Sequence, residues 1–118
     1  GFDLLKAICL GADVCSSARA MMLSLGCIQA LECHQNTCPT GITTNNERLM
    51  RGLVVKEKWE RVRNYHEEVI KDFLELLSAT GCNDVNQLNR SFIYKQVNGK
   101  SVSLEKLHEK AVKGQALE

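Results

Sequence analysis

The chain has 118 residues and a mass of 13.2 kDa, and a folded chain of that mass exposes roughly 6,400 Å² against roughly 19,000 Å² unfolded, which leaves room for one modest core and argues against two independent domains. A complete (β/α)8 barrel, which needs about 250 residues, is excluded. Fifteen basic and fourteen acidic residues leave a net charge of +1 with both signs interspersed; no basic field suited to nucleic-acid phosphates is present, and a chain that is 44% apolar with one proline is globular in composition.

Residues 2–10 carry Phe2, Leu5, Ile8 and Cys9 at three- and four-residue spacing and predict a short helix that stops at Gly11. Ala12–Ser16 reads as a short buried strand centred on Val14 and Cys15. Ser16 and Ser17 then offer caps for a helix from about Ala18 to Leu25. Helix, strand and helix together make one unit of an α/β fold. Ala20–Leu31, the longest weakly polar stretch, is too short for a membrane span and is interrupted by Ser24, Gly26 and Gln29. The start has neither a methionine nor a leader pattern and opens directly into a helical pattern, which suggests an interior piece of something longer in a cytoplasmic protein.

Gly26–Asn46 is a cysteine-bearing loop punctuated by Pro39-Thr40-Gly41, and Asn46 is placed to cap a short turn through Met50. Lys56–Thr80 is the clearest element: Trp59, Val62, His66, Val69, Phe73, Leu76 and Leu77 form an apolar stripe, with Glu57–Arg61 and Glu67–Lys71 as i,i+4 pairs on the wet side and Gly81 as the stop. Trp59 reads as an anchor for this helix and His66 as a packing residue. Asp84–Leu88 is one helical turn. Ile93–Val97, Asn98-Gly99 and Lys100–Val102 form a hairpin with a type I′ turn. Ser103 caps a last helix from Leu104 to about Lys113, with His108 on its surface and a frayed tail from Gly114.

Six cysteines stand at positions 9, 15, 27, 33, 38 and 82, and Cys27, Cys33 and Cys38 fall within twelve residues as Cys-x5-Cys-x4-Cys-Pro. Convergent thiolates hold soft iron, and a loop lets them meet at one cluster. Three cysteines match the three irons of a [3Fe–4S] cluster, and Pro39 stiffens the exit from the third. Spacing alone leaves two alternatives open: zinc held by the same cysteines with His34, as in Cys3His sites, and plain buried thiols. The zinc alternative would make the chain a small α-rich metal-binding or interaction module. Cys9 and Cys15 read as small core hydrophobes, Cys82 lies too far from the motif to be a ligand, and Met21 and Met22 read as core rather than functional residues. His34 reads as a spare ligand, a hydrogen-bond donor near the ligands, or an exposed loop residue.

Gly11-Ala12-Asp13, Ser17-Ala18-Arg19-Ala20-Met21-Met22, Leu25-Gly26-Cys27-Ile28-Gln29, Asn36-Thr37-Cys38-Pro39-Thr40-Gly41 and Arg51-Gly52-Leu53-Val54-Val55 closely resemble the FMN-binding glutamate synthase domain, and Asn89-Arg90-Ser91-Phe92-Ile93-Tyr94 fits more diffusely. The resemblance implies an α/β fold: the C-terminal fragment of an FMN-binding (β/α)8 barrel with a mostly helical extension. Residues 1–26 would be the last helix-strand-helix unit, 27–55 the cysteine-cluster loop and 56–118 the extension. It implies that Ser16, Ser17, Ala18 and Arg19 receive the FMN phosphate, although related flavin barrels often carry Gly-Arg where this chain has Ala18-Arg19. It implies that Cys27, Cys33 and Cys38 ligate a [3Fe–4S] cluster that passes electrons to FMN. The family reaction joins 2-oxoglutarate and an ammonia-derived nitrogen into an iminium that takes a hydride from reduced FMN to give glutamate. The partners implied are the missing N-terminal part of the barrel or another chain, an electron-donor protein or domain, and the 2-oxoglutarate substrate. Flavin-ring and substrate contacts would lie on missing strands, so the chain alone would not be catalytically competent, and an apolar face left open would favour a homo-oligomer or a second chain.

Overall fold

A computed structural model describes residues 1–107. The described residues are predominantly helical, with one two-stranded sheet. In chain order they form α1 (Phe2–Cys9), α2 (Arg19–Leu25), α3 (Glu47–Met50), α4 (Val55–Ala79), 3-10 turns at Val85–Gln87 and Arg90–Phe92, β1 (Tyr94–Val97), β2 (Lys100–Ser103) and α5, described over Leu104–Leu107. The chain divides into two compact units, Gly1–Cys15 with Ile70–Glu118, and Ser16–Val69. No helix among the described residues is long and apolar enough to cross a membrane.

The first unit holds the buried cluster. Leu5 and Cys9 of α1 pack with Phe73 and Leu77 of α4 and with Leu88, and Leu4, Ile8, Leu76, Cys82, Phe92 and Ile93 border them. Burying a side chain of the size of Leu5, Phe73 or Leu77 contributes about 1.5–3 kcal/mol. Gly1 lets the start of α1 meet α4 closely: a Cβ there would lie 2.6 Å from Asp72 Cβ and 2.8 Å from the Phe73 nitrogen. Phe2, expected on the buried face, is 60% exposed and lies under the Lys6 ammonium instead.

α1 and α2 each stop at a left-handed glycine. Gly11 donates to the Ile8 carbonyl and Ala12 to Ala7; Gly26 donates to Leu23 and Cys27 to Met22. These paired bonds satisfy carbonyls that the helix end would otherwise leave open. The hairpin has the expected register, with Val97 opposite Lys100 and Asn98 and Gly99 both at positive φ, as a type I′ turn requires. Ser103 is buried and its hydroxyl accepts the Lys106 N–H, so it caps α5 as expected. The continuation of that helix toward Lys113, His108 and the tail from Gly114 lie outside the described residues.

Three further expectations are corrected. Ala12–Ser16 is not a strand: it is irregular chain and Val14 is 84% exposed. A strand exists through ladder bonds to a neighbour, and the one sheet among the described residues is the hairpin. The serines do not cap α2, whose N-cap is Ala18 with no side-chain bond. The apolar stripe of α4 is buried only toward its C-terminal end. Phe73 and Leu77 are buried, whereas Trp59 is 50% exposed and His66 is exposed, so neither is the packing residue that its spacing predicts. Trp59 carries the Arg63 guanidinium 5.2 Å from its ring centroid, and Arg63 also pairs with Glu67 at 3.6 Å.

Candidate functional site

Residues 26–46 form an irregular loop closed by α3 in the second unit. Its first part bends through residues that L side chains rarely allow: Gln29, Leu31 and Asn36 have φ of 57°, 61° and 61°. Each such left-handed residue costs on the order of 1–2 kcal/mol, a cost that asparagine offsets best because its short amide bonds locally. The first bend follows Cys27, whose sulfur accepts the Gln29 N–H at 3.4 Å. Lys58 Nζ comes within 3.2 Å, and Arg61 Nη1 within 4.0 Å, of the position a Gly26 Cβ would take. Two cations therefore meet the C-terminal end of α2 beside Cys27, the end where the helix dipole is negative.

The later part of the loop is held by Asn36. Its side-chain oxygen accepts the Asn45 N–H at 2.6 Å, and its backbone carbonyl accepts the Thr44 hydroxyl at 2.6 Å. The Thr44 oxygen in turn accepts the Asn46 N–H at 3.1 Å. Asn46 caps α3 as expected, its side chain accepting from Arg48 and Leu49. Within this closed segment, Cys38-Pro39-Thr40-Gly41 makes a turn with a Gly41 N–H to Cys38 carbonyl bond of 3.2 Å. Gly41 sits at φ 77°, and a Cβ there would strike the Leu49 carbonyl oxygen and lie 3.1 Å from Met50 Cα. Only glycine fits where the turn after Cys38 seats on α3.

Cys38 is buried and Cys33 exposed; Cys27 lies between these extremes. The Cys38 thiol is pulled down to about 6 by hydrogen bonding from the Thr40 hydroxyl, then from the Thr43 backbone and the Thr43 hydroxyl. The Thr40 hydroxyl lies 3.4 Å from the sulfur. The Thr43 hydroxyl is buried and makes no hydrogen bond of ordinary geometry. It also lines an open cleft of about 390 Å³ with Cys33, His34, Asn36, Ile42, Thr44 and Asn45. Thr43 is thus common to the surroundings of Cys33 and Cys38, and the loop brings those two cysteines to one neighbourhood. His34 is exposed and its ring faces Gln35 at 3.4 Å. Among the described residues, no three His, Cys, Asp or Glu side chains converge on a point where they could hold a metal.

The donor chemistry nevertheless suits a thiolate-bound group. One cysteine favours its thiolate, a second accepts a backbone N–H as cluster sulfurs do, and a third lines a cleft together with Thr43. The sequence pattern leaves Asn36, Thr40, Thr43 and Thr44 without roles. The signal available for Asn36 is its residue type, since asparagine is the side chain that most readily takes a left-handed turn and bonds across it.

Ser16, Ser17, Ala18 and Arg19 lie together at the start of the second unit and are exposed. Because no side chain caps α2, the first N–H groups of that helix have no side-chain acceptor. Arg19 is its first residue. An exposed, uncapped helix start with an adjacent guanidinium suits an anionic oxygen group.

The model of the conserved region in glutamate synthase matches residues 1–83. The chain is 38% identical over 102 residues to the glutamate synthase large subunit-like protein YerD of Bacillus subtilis (strain 168), covering 86% of this chain and 19% of that protein. It is 35% identical over 86 residues to an archaeal glutamate synthase [NADPH] of Methanocaldococcus jannaschii, covering 73% of this chain and 17% of that protein. With the glutamate synthase [NADPH] large chain of Azospirillum brasilense it shares 29% identity over 108 residues, covering 91% of this chain and 7% of that protein. The chain therefore spans at most about a fifth of the length of these relatives. No solved structure matches it.

Proposed function

The chain belongs to the glutamate synthase family, and from that membership we propose that it is the cluster-holding and phosphate-binding segment of a glutamate synthase-type oxidoreductase. The observation that carries this reading is the reach of the family match: residues 1–83 include both the Cys27-Cys33-Cys38 loop and the Ser16–Arg19 turn. In this reading the parent enzyme has an FMN-binding (β/α)8 barrel and reductively joins 2-oxoglutarate and an ammonia-derived nitrogen into L-glutamate.

Cys27, Cys33 and Cys38 would hold a [3Fe–4S] cluster, and the backbone N–H groups at the start of α2 with Arg19 would receive the FMN phosphate. Bound there, the two groups supply one-electron relay and hydride transfer. The chain's own residues do the rest. Thr40 and Thr43 keep Cys38 ready as a thiolate, so ligation at neutral pH displaces little proton. Asn36 and Gly41 hold the loop that carries it. Arg19 supplies a fixed positive charge where the phosphate would dock. Catalytic contacts to substrate belong to parts of the parent outside this chain.

The test is cofactor analysis of the full-length protein purified without oxygen. The reading expects FMN, and iron with acid-labile sulfide. Removing one charge-assisted phosphate contact by Arg19→Ala is expected to weaken FMN binding by about 10–100-fold, as charged hydrogen bonds of about 1.5–3 kcal/mol imply. Colourless protein with stoichiometric zinc bound by the same cysteines would replace this reading with that of a zinc-binding module.

A further inference from the structure

The two cysteines of the first unit's apolar cluster lie outside the proposed cofactor sites. Cys9, the last residue of α1, is 3% exposed within it. Cys82 follows the Gly81 stop of α4, is partly buried, and packs against the same cluster. We propose that Cys9 and Cys82 are a redox-modification site: a dithiol pair that low-molecular-weight disulfides convert into a bond stapling the end of α1 to the turn after α4.

Both cysteines meet the one cluster formed with Leu5, Phe73, Leu77 and Leu88; burial raises the Cys9 thiol above its usual range, and the Cys82 charge adds to that shift. Their exposures differ, which sets the order of events. Cys82, the more accessible, attacks one sulfur of the small disulfide as its thiolate, forming a mixed disulfide and releasing one small thiolate. Cys9 then loses its proton and attacks the Cys82 sulfur, forming the Cys9–Cys82 bond and releasing the second small thiolate. Two protein thiols are oxidised, one small disulfide is reduced to two thiols, and the two protein protons end on the two released thiolates. The bond closes a loop of about 70 residues, the kind of closure that most restricts the unfolded chain. Its α1 anchor lies at the base of the segment leading into Ser16–Arg19.

The experiment incubates the folded full-length protein with oxidised glutathione, blocks free thiols with N-ethylmaleimide, and digests with a protease that cuts before aspartate. Cys9 then lies in the Asp3–Ala12 peptide and Cys82 in the Asp72–Asn83 peptide, each the only cysteine in its peptide. The expected result is loss of most of the two alkylated peptides and appearance of one linked species, which dithiothreitol splits. The linked species persists in Cys15→Ser and vanishes in Cys82→Ser, where Cys9 stays reduced in the folded protein. A Cys82 peptide carrying only glutathione, Cys9 linked to any other cysteine, or both peptides alkylated as before would each overturn the proposal.

Discussion

The side-chain oxygen of Asn36 accepts the backbone N–H of Asn45 at 2.6 Å, across nine residues, and so closes the loop segment that contains Cys38. The same asparagine sits at φ 61°, so its backbone and its amide are committed to one bend. Asn36→Ala removes the acceptor and leaves an unfavoured left-handed alanine. Losing one such bond, at about 1–1.5 kcal/mol, should speed hydrogen exchange of the Asn45 amide roughly tenfold. Asn36→Gly separates the contributions, because it keeps the bend and loses the acceptor. Wild-type exchange in the glycine variant would show that the bend, not the amide, holds the loop.

Gly41 is the steric hinge of the same loop. An added Cβ would meet the Leu49 carbonyl oxygen, and its φ of 77° is one that alanine resists. Gly41→Ala should lower unfolding free energy by about 1–3 kcal/mol, the usual cost of a strained backbone site, read from the midpoint of urea denaturation. An unchanged midpoint would mean that the loop does not seat on α3 in solution.

Thr40 is the first cause of the low Cys38 titration, which lies near 6 rather than at the usual thiol value. Thr40→Val should move the midpoint of Cys38 alkylation against pH upward in cluster-free protein, measured peptide by peptide with mass spectrometry. The linkage has a definite sign. The folded thiol titrates below the unfolded one, so stabilisation is complete above the unfolded value near 9.0 and is lost as pH falls through about 6. Thr40→Val should flatten the rise of stability across that window. A midpoint that does not move would remove Thr40 from the account.

The two ends of the α4 stripe should behave differently although they share one spacing. Phe73 is buried in the cluster and Trp59 is half-exposed over Arg63. Phe73→Ala should cost about 3–5 kcal/mol of stability, as large-to-small core changes do. Trp59→Ala in the same protein should cost about 1 kcal/mol or less, the range of an exposed cation–π contact. Equal losses by denaturant titration would show that Trp59 is packed in the full-length protein.

How far the sequence alone reaches follows from what each signal encodes. The 3.6-residue pattern over 56–80 locates α4 to within a residue or so, and the Asn98-Gly99 pair fixes the hairpin register, because both signals are local. Gly11, Gly26 and Asn46 mark helix ends for the same reason. Burial is not local. His66 and Trp59 have the right spacing, but nothing in the chain's neighbourhood says whether another element covers them. Ala12–Ser16 has strand-like composition, yet a strand is made by its neighbours and none flanks it among the described residues. At the site, the cysteine spacing is legible as a candidate ligand pattern. The hydrogen bonds that shape the loop are not, because the Asn36 bridge joins residues nine apart with no periodic signature.

Low-temperature electron paramagnetic resonance of the anaerobically purified, oxidised full-length protein tests the central claim most directly. The account predicts the near-isotropic signal of a three-iron cluster, lost with the iron in each of Cys27→Ser, Cys33→Ser and Cys38→Ser while Cys15→Ser keeps it. A silent, iron-free spectrum from folded protein, or a signal untouched by all three substitutions, would contradict it.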